Sequence, residues 1–478
     1  MPLDEASPTQ PASARRRLGR VSARLVRSRI ARNVSATMYL QVVQLAIQFA
    51  SVPILSIRWG LHDYGIWLIL FTFPSYIAMA DLGFGTAASS DMTMRVARGD
   101  RVGAAATFLA LKLVIAAMAA AILAVAAAIV FLAAPHATDF ADAATGGHAK
   151  LAALAFIAYG IAGLASGAVG GGYRAADRFA LGGYVYVSMV LIEGAVALGI
   201  VLAGGGLLAA ALAYLSVRTL GTLGFSLVLR RAAPWLYSRD VGAALARVRP
   251  LLEPALSALV LPAAQALSIQ GGVLVIGSAI GAVAVPPFTT IRTLTRTALQ
   301  LTMMVNLSVL PAFSVAAATG DERRKAQMVL VSLATSAAIL PLAAPAMILL
   351  GRPIIQFWTH GHVSPPIGLL IAMTAAMLMN GFWSPLANLI LGINKHGGFT
   401  YFYLAVSAAM ILLAYVLAGP LGLTGVGLAI AAIDAVMLAW VVRLARRLGV
   451  LNVDLLRRTV REAVAGLRGG ASGDPRLS

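Results

Sequence analysis

The sequence contains no cysteine, so disulfides, thiolate nucleophiles and thiolate-held zinc have no place in its chemistry. Its six histidines include His136, His148, His360 and His362, which fall between apolar runs without a HExxH-like spacing, so no metal site is expected. Charge is scarce as well. Lys, Arg, Asp and Glu make up 12% of the chain, about half of the ~25% a water-facing domain carries. Acids are the scarcer sign, 18 against 37 bases, which leaves a net charge of +19. The apolar runs lack the strict alternation that a transmembrane β-barrel would need. Gly170-Gly171-Gly172 and Gly204-Gly205-Gly206 have neither a preceding strand nor a following Lys-Ser/Thr, so no nucleotide site or other cofactor is expected. The first thirty residues lack an apolar segment with a small-residue cleavage site, and read as a basic tail rather than a cleavable signal.

What the chain has in quantity is aliphatic surface: 60% hydrophobic residues and a mean hydropathy of +0.86. Runs of about twenty such residues are long enough to cross a ~30 Å hydrocarbon core as helices. Twelve spans are predicted, over 34–57, 66–92, 104–133, 151–172, 181–203, 207–229, 255–280, 287–317, 328–350, 367–391, 399–417 and 422–442. With the N-terminus on the cytoplasmic side, 30 of the 37 Lys and Arg fall in cytoplasmic tails and loops. Only Arg58, Lys150 and Arg352 fall on the other face. The positive charge thus reports topology, and nucleic acid is not an expected partner. The fold class expected is all-α and integral to the membrane, with both termini cytoplasmic. Its units would be a basic tail (1–32), a first six-helix bundle (33–231), a connector (232–253), a second bundle (254–444) and a second basic tail (445–478). The basic stretch from Arg15 to Arg32 could also lie on anionic membrane lipid as a surface helix.

The two halves read as copies. Ala97-Arg98-Gly99-Asp100 recurs as Ala318-Thr319-Gly320-Asp321, an offset of 221 that also carries Gln44 onto Gln265. Near the end of each half, Gly206 precedes Arg218 by twelve residues and Gly422 precedes Asp434 by twelve. An even number of spans entering from the same side makes a parallel repeat with a cleft between its units.

The first hundred residues carry a spaced pattern: Asn33, Tyr39, Gln41 and Gln44; Val52-Pro53; Gly60, Tyr64-Gly65 and Trp67; Asp81-Leu82-Gly83; Gly99-Asp100. In this pattern the chain resembles the Wzx-type polysaccharide flippases of the MATE-like multidrug/oligosaccharidyl-lipid/polysaccharide exporter superfamily. The resemblance implies two bundles that move a lipid-linked oligosaccharide across the bacterial inner membrane by alternating access. It also implies undecaprenyl diphosphate as the carrier and a polysaccharide synthesis complex as a possible partner.

Charges inside spans cost roughly 2.5–3.5 kcal/mol each, so their positions are informative. Arg292 and Arg296 lie one turn apart on one face of the eighth predicted span, bordered by Thr289, Thr293 and Gln300. Two guanidinium forks at that spacing suit a diphosphate. Arg292 is equally placed to reach outer headgroups, whereas the deeper Arg296 suits a cavity, with Arg218 expected nearby. Gln41, Gln44 and Gln48 form a polar stripe that would bond either sugar hydroxyls or a neighbouring helix. Asp81 with Lys112, and Glu193 with Arg218, stand at matching depths on either side of a turn and are expected to pair. Each pair would serve charge neutralisation or exchange with a phosphate or coupling ion. Asp434 has no evident basic mate and is a candidate proton site.

Three classes fit such a chain. A flippase wants bases in its cavity, a MATE-type cation antiporter wants an unpaired acid, and a lipid II flippase shares the first requirement. A membrane-embedded polymerase or glycosyltransferase needs acids or histidines at the membrane face. The longest outer connections, 134–150 and 351–366, carry no such set, so the chain is not read as an enzyme.

Overall fold

The computed structural model describes residues 12–79, 83–133, 146–393 and 397–470. Among them every regular element is helical. In chain order these are α1 (Ala12–Leu70), α2 (Phe73–Ile77), α3 (Phe84–Ala97), α4 (Arg101–Ala133), α5 (Gly146–Ala175), α6 (Phe179–Leu202) and α7 (Leu207–Ala232). They continue with α8 (Val241–Ala279), α9 (Val285–Thr319), α10 (Glu322–Trp358), α11 (Ile367–Gly392), α12 (Gly397–Arg447) and α13 (Val453–Gly470). Among the described residues, nine helices are long and apolar enough to cross a membrane, and a bent pair within α9 brings the number to ten. That bend, 41° between Asn306 and Ser308, falls one turn before Pro311, whose ring crowds the carbonyl four residues back.

Two of the nine are too long for a single crossing. Met38–Ile77 has 40 residues and Gly398–Arg447 has 50, about 60 and 75 Å if straight, against a ~30 Å core. A glycine leaves helical geometry inside each, Gly60 (φ 71°, ψ −179°) and Gly422 (φ 55°, ψ −140°). Contacts show that the chain doubles back at Gly60. Gln44 and Leu68 line the same cavity of about 440 Å³. A straight helix would hold residues 44 and 68 ~36 Å apart, too far to share a cavity of that size. The reversal at Gly422 brings Gly425 close to Leu417, where an added Cβ would overlap the Leu417 carbonyl.

The second predicted span, 66–92, differs from the structure. The helix stops at Leu70, a short turn begins with Pro74 near its start, and α3 resumes after Gly83 in the left-handed region (φ 76°). Proline cannot donate a helical hydrogen bond and Gly83 adopts a backbone that other residues resist. The predicted connector 232–253 also ends early, because α8 begins at Val241, capped by Asp240 accepting from the Ala243 N–H (2.9 Å). Its first turns pack backwards: Leu251 and Ala255 join Phe84 and Leu111 in a core of the N-terminal half.

The internal repeat is visible in the turns. Gly99 and Gly320 both adopt positive φ (82° and 72°), and the next N–H closes on the carbonyl five residues back, Asp100 to Arg95 and Asp321 to Ala316, each at 2.9 Å. Asp100 then accepts from the Gly103 N–H (2.7 Å) and Asp321 from the Arg324 N–H (2.9 Å), starting α4 and α10 alike. Gly60 and Gly281, also 221 apart, are both positive-φ turn residues. The cores follow the same division. One large cluster joins Ile69 of α1 to residues from Ala264 to Val450, a small one gathers Leu340, Ala344 and Met377, and three others lie mainly in the N-terminal half. Outward-facing side chains such as Leu342 (75% exposed), Leu349 (72%) and Phe357 (88%) have no protein partner to cover them and suit lipid as solvent.

Candidate functional site

The intramembrane polar residues collect in two cavities, one in each half, on either side of a seam between α1 and α9. The sequence had suggested a single positive cleft shared by Arg292, Arg296 and Arg218. The structure separates Arg218 from the other two.

The C-terminal cavity, about 390 Å³, is walled by α8, α9, α11 and α12. Arg292, Arg296 and Gln300 line it at four-residue spacing along α9. The Arg292 guanidinium donates to the Ile269 carbonyl of α8 and lies over the Phe288 ring, 5.3 Å from its centroid. Arg296 is exposed into the cavity and, among the described residues, is neither hydrogen-bonded nor ion-paired. Opposite α9, Asp434 receives the Asn380 amide (3.0 Å) and the Trp383 indole N–H (2.8 Å) on one carboxylate oxygen. Neutral donors, not a base, hold this acid. Gln265 lines the same cavity, just as Gln44, its repeat counterpart, lines the other.

The N-terminal cavity, about 440 Å³, lies among α1, α5, α6 and α7. Glu193 and Arg218 form its buried polar centre. An Arg218 Nη donates to Glu193 Oε2 at 2.6 Å, and the Arg218 Nε lies 2.6 Å from Oε1 in ionic contact without a hydrogen bond of its own. The same guanidinium donates to the Tyr159 hydroxyl (2.6 Å) and stacks over the Tyr159 ring (4.8 Å). Tyr159 passes its own proton towards Glu193 (3.2 Å), so the pair is enclosed by partners. Gln44, Gln48 and Ser51 face the cavity from α1, and Trp67, Phe71, Tyr159 and Tyr214 close the other side. Gln41, one turn further along, lines none of the described cavities.

Along the seam, Gln48 Nε2 donates to Thr293 Oγ1 (2.9 Å), one residue from Arg292. The Trp358 indole donates to the Phe49 carbonyl (3.0 Å), with the two rings 4.9 Å apart. Gly65 lies against Ala282 so closely that any Cβ would overlap the Ala282 carbonyl. The tip after Gly60 and the turn after Gly281 are therefore pressed together.

Lys112 points elsewhere. Its ammonium sits over the rings of Tyr237 (5.2 Å) and Phe108 (5.6 Å), a cation–π arrangement near the connection between α7 and α8. Its expected mate Asp81 lies outside the described residues. No three of His, Asp and Glu cluster in a metal-binding arrangement among the described residues. Sequence reasoning missed the aromatic wall of the N-terminal cavity and the Asn380–Trp383 donors to Asp434. Position carried a signal: tyrosine and tryptophan concentrate at membrane interfaces, and Tyr159, Tyr214 and Trp383 stand well inside their spans.

Comparison with solved structures places this arrangement. An inward-facing multidrug resistance MATE family transporter of the MOP superfamily superposes with a TM-score of 0.64 at 16% identity, over 87% of this chain and 99% of that one. The lipid II flippase MurJ, in an inward closed conformation, gives 0.65 at 13% identity over 90% of each chain. The fold is MATE-like. A third structure with this fold, a MOP superfamily transporter from Pyrococcus furiosus described as having a binding pocket of reverse polarity, gives 0.56 at 18% identity, over 88% of this chain and 95% of that one. No family model and no curated protein matches the sequence.

Proposed function

We propose that this MATE-like chain is a flippase that moves undecaprenyl-diphosphate-linked oligosaccharide repeat units across a bacterial inner membrane by alternating access. In this reading the reversals at Gly60 and Gly422 bring the spans to twelve, with both termini in the cytoplasm. The observation that carries the reading is Arg296, an arginine inside the membrane that is neither hydrogen-bonded nor ion-paired among the described residues and has an open cavity before it, with Asp434 on the opposite wall. A cation inside a span without an ion-pair partner is costly, and a transporter recovers that cost when an anion arrives. With Arg292 one turn away, the pair fits two linked phosphates better than one organic cation, which both arginines would repel. The MurJ likeness supports a substrate of that chemistry, since lipid II is itself a diphosphate-linked lipid.

A second reading has its own observation. Asp434, unpaired by a base, is what a cation-coupled MATE-type antiporter would need, and in a flippase the same carboxylate would carry the coupling ion. One experiment separates the substrates. Cells lacking the gene accumulate the lipid-linked repeat on the cytoplasmic side and fail to display the polymer. Arg296→Ala reproduces that defect at normal protein level, and Arg296→Lys restores part of the export, because a point charge replaces a fork. Full polymer display with Arg296→Ala would overturn the flippase reading. Drug sensitivity without loss of polymer would favour the antiporter.

A further inference from the structure

The two cavities differ in chemistry in a way that the arginines alone do not explain. A sugar offers a rim of hydroxyls, each both donor and acceptor, and an apolar face of C–H bonds. A site for it pairs amides and hydroxyls with the flat face of an aromatic ring, and needs no net charge. A diphosphate asks first for cations that no acid pairs. From this contrast we infer that the N-terminal cavity seats the first sugars of the substrate while the C-terminal cavity holds its diphosphate. The inference rests on the flippase reading and divides its substrate between the two halves.

Three observations carry the sugar seat. First, the cavity has the required pair of walls. Gln44 and Ser51 present amide and hydroxyl from α1, and Trp67, Tyr159 and Tyr214 present rings and phenols from three other places in the chain. At about 440 Å³ it is of small-molecule size. Second, its charge is already spent. Arg218 closes on Glu193 through two short contacts and on Tyr159 through a third, so no free cation competes for phosphate. Third, the ring wall is rigid before any ligand arrives. Trp67 packs edge-on to Phe156 (4.9 Å) and tilted on Tyr214 (5.7 Å), and Tyr214 meets Tyr159 edge-on (5.6 Å). Preorganised rings cost little ordering entropy on binding, which favours a recognition surface over mere filler.

The connection between the seats is the seam. Gln48 lines the sugar cavity and donates to Thr293, the neighbour of Arg292 in the sequence. A substrate whose first sugar is bonded directly to its diphosphate would bridge this short step. Gln44 is exposed into the cavity and has no hydrogen-bond partner among the described residues, so it can be replaced without disturbing the fold.

The test titrates the full-length protein in detergent with two lipids, undecaprenyl diphosphate and the lipid-linked repeat extracted from the deletion strain, and reads tryptophan emission. The wild type is expected to bind the glycosylated lipid at least tenfold more tightly. Gln44→Leu and Tyr214→Leu each bring that ratio towards one while leaving the affinity for undecaprenyl diphosphate as it was. Trp67→Phe keeps a ring and most of the ratio, but loses the emission change that the sugar adds. Arg296→Gln weakens both lipids alike and leaves the ratio standing. A wild-type ratio near one, or a ratio unchanged in both Gln44→Leu and Tyr214→Leu, overturns the sugar seat even where the arginine result holds. Wild-type affinities in Arg296→Gln overturn the diphosphate reading instead, and the ratio then still judges the sugar seat on its own.

Discussion

Glu193 and Arg218, 25 residues apart on adjacent antiparallel helices, meet through two guanidinium nitrogens with side chains 1% and 6% exposed. Each is the other's main defence against desolvation, so removing one strands a charge in a low-dielectric site. Arg218→Ala or Glu193→Ala should each cost about 3–5 kcal/mol of stability. Replacing both with apolar residues of similar size, Glu193→Leu with Arg218→Met, should recover most of that loss. Thermal unfolding of the detergent-purified variants checks this, and a double variant no more stable than either single would rule out mutual neutralisation.

The Gln48–Thr293 bond gives a handle on motion. Because the chain has no cysteine of its own, Gln48→Cys with Thr293→Cys creates a unique pair. A short bifunctional thiol reagent should join them across the α1–α9 seam, stop polymer export, and release it again on reduction. Export that continues at wild-type rate in the cross-linked protein would mean that this seam stays shut throughout the cycle.

Sidedness follows from the distribution of basic residues. In intact cells an impermeant thiol reagent should label Arg352→Cys and spare Arg98→Cys and Arg324→Cys, which become reactive once the membrane is opened. Labelling of either of the latter two in intact cells would invert the orientation.

Acid should loosen the start of α4. The Gly103 N–H, and after it the Arg95 guanidinium, hold the Asp100 carboxyl below its ordinary value. A carboxylate whose folded pKa is depressed stabilises above its unfolded value, ~4, and loses that contribution as pH falls through the lower folded value. The protection of the amides in the first turn of α4, relative to their intrinsic exchange rate at each pH, should therefore fall on acidification below about pH 4, and Asp100→Ala should show the lower protection at neutral pH.

Much of this architecture could be read from sequence because lipid makes strict demands. Apolar runs had to be helices, and the Gly-Asp turns at 99–100 and 320–321 recur with the same bonds because each ends one helix and caps the next. The Glu193–Arg218 pairing also followed from simple equidistance about a turn. The rotation of helices about their axes was not legible. It is set by packing between residues far apart in the chain, and it decides that Arg218 faces one cavity and Arg296 the other. The aromatic wall was hidden for the same reason, since Trp67, Phe156, Tyr159 and Tyr214 come from three helices that only the fold brings together. The donors to Asp434 lie 54 and 51 residues away, beyond any local pattern.

In the flippase reading, Arg296, which no acid pairs among the described residues, also makes the empty and loaded carriers different electrical objects. A charge crossing the full membrane field exchanges about 2.3 kcal/mol per 100 mV, and a cell interior is negative. An empty site with its arginines exposed is drawn towards the cytoplasm by that field. Once a diphosphate neutralises the site, the pull disappears and the loaded carrier moves outward unopposed. Voltage alone would then favour the direction of the cycle, resetting the empty carrier and sparing the full one.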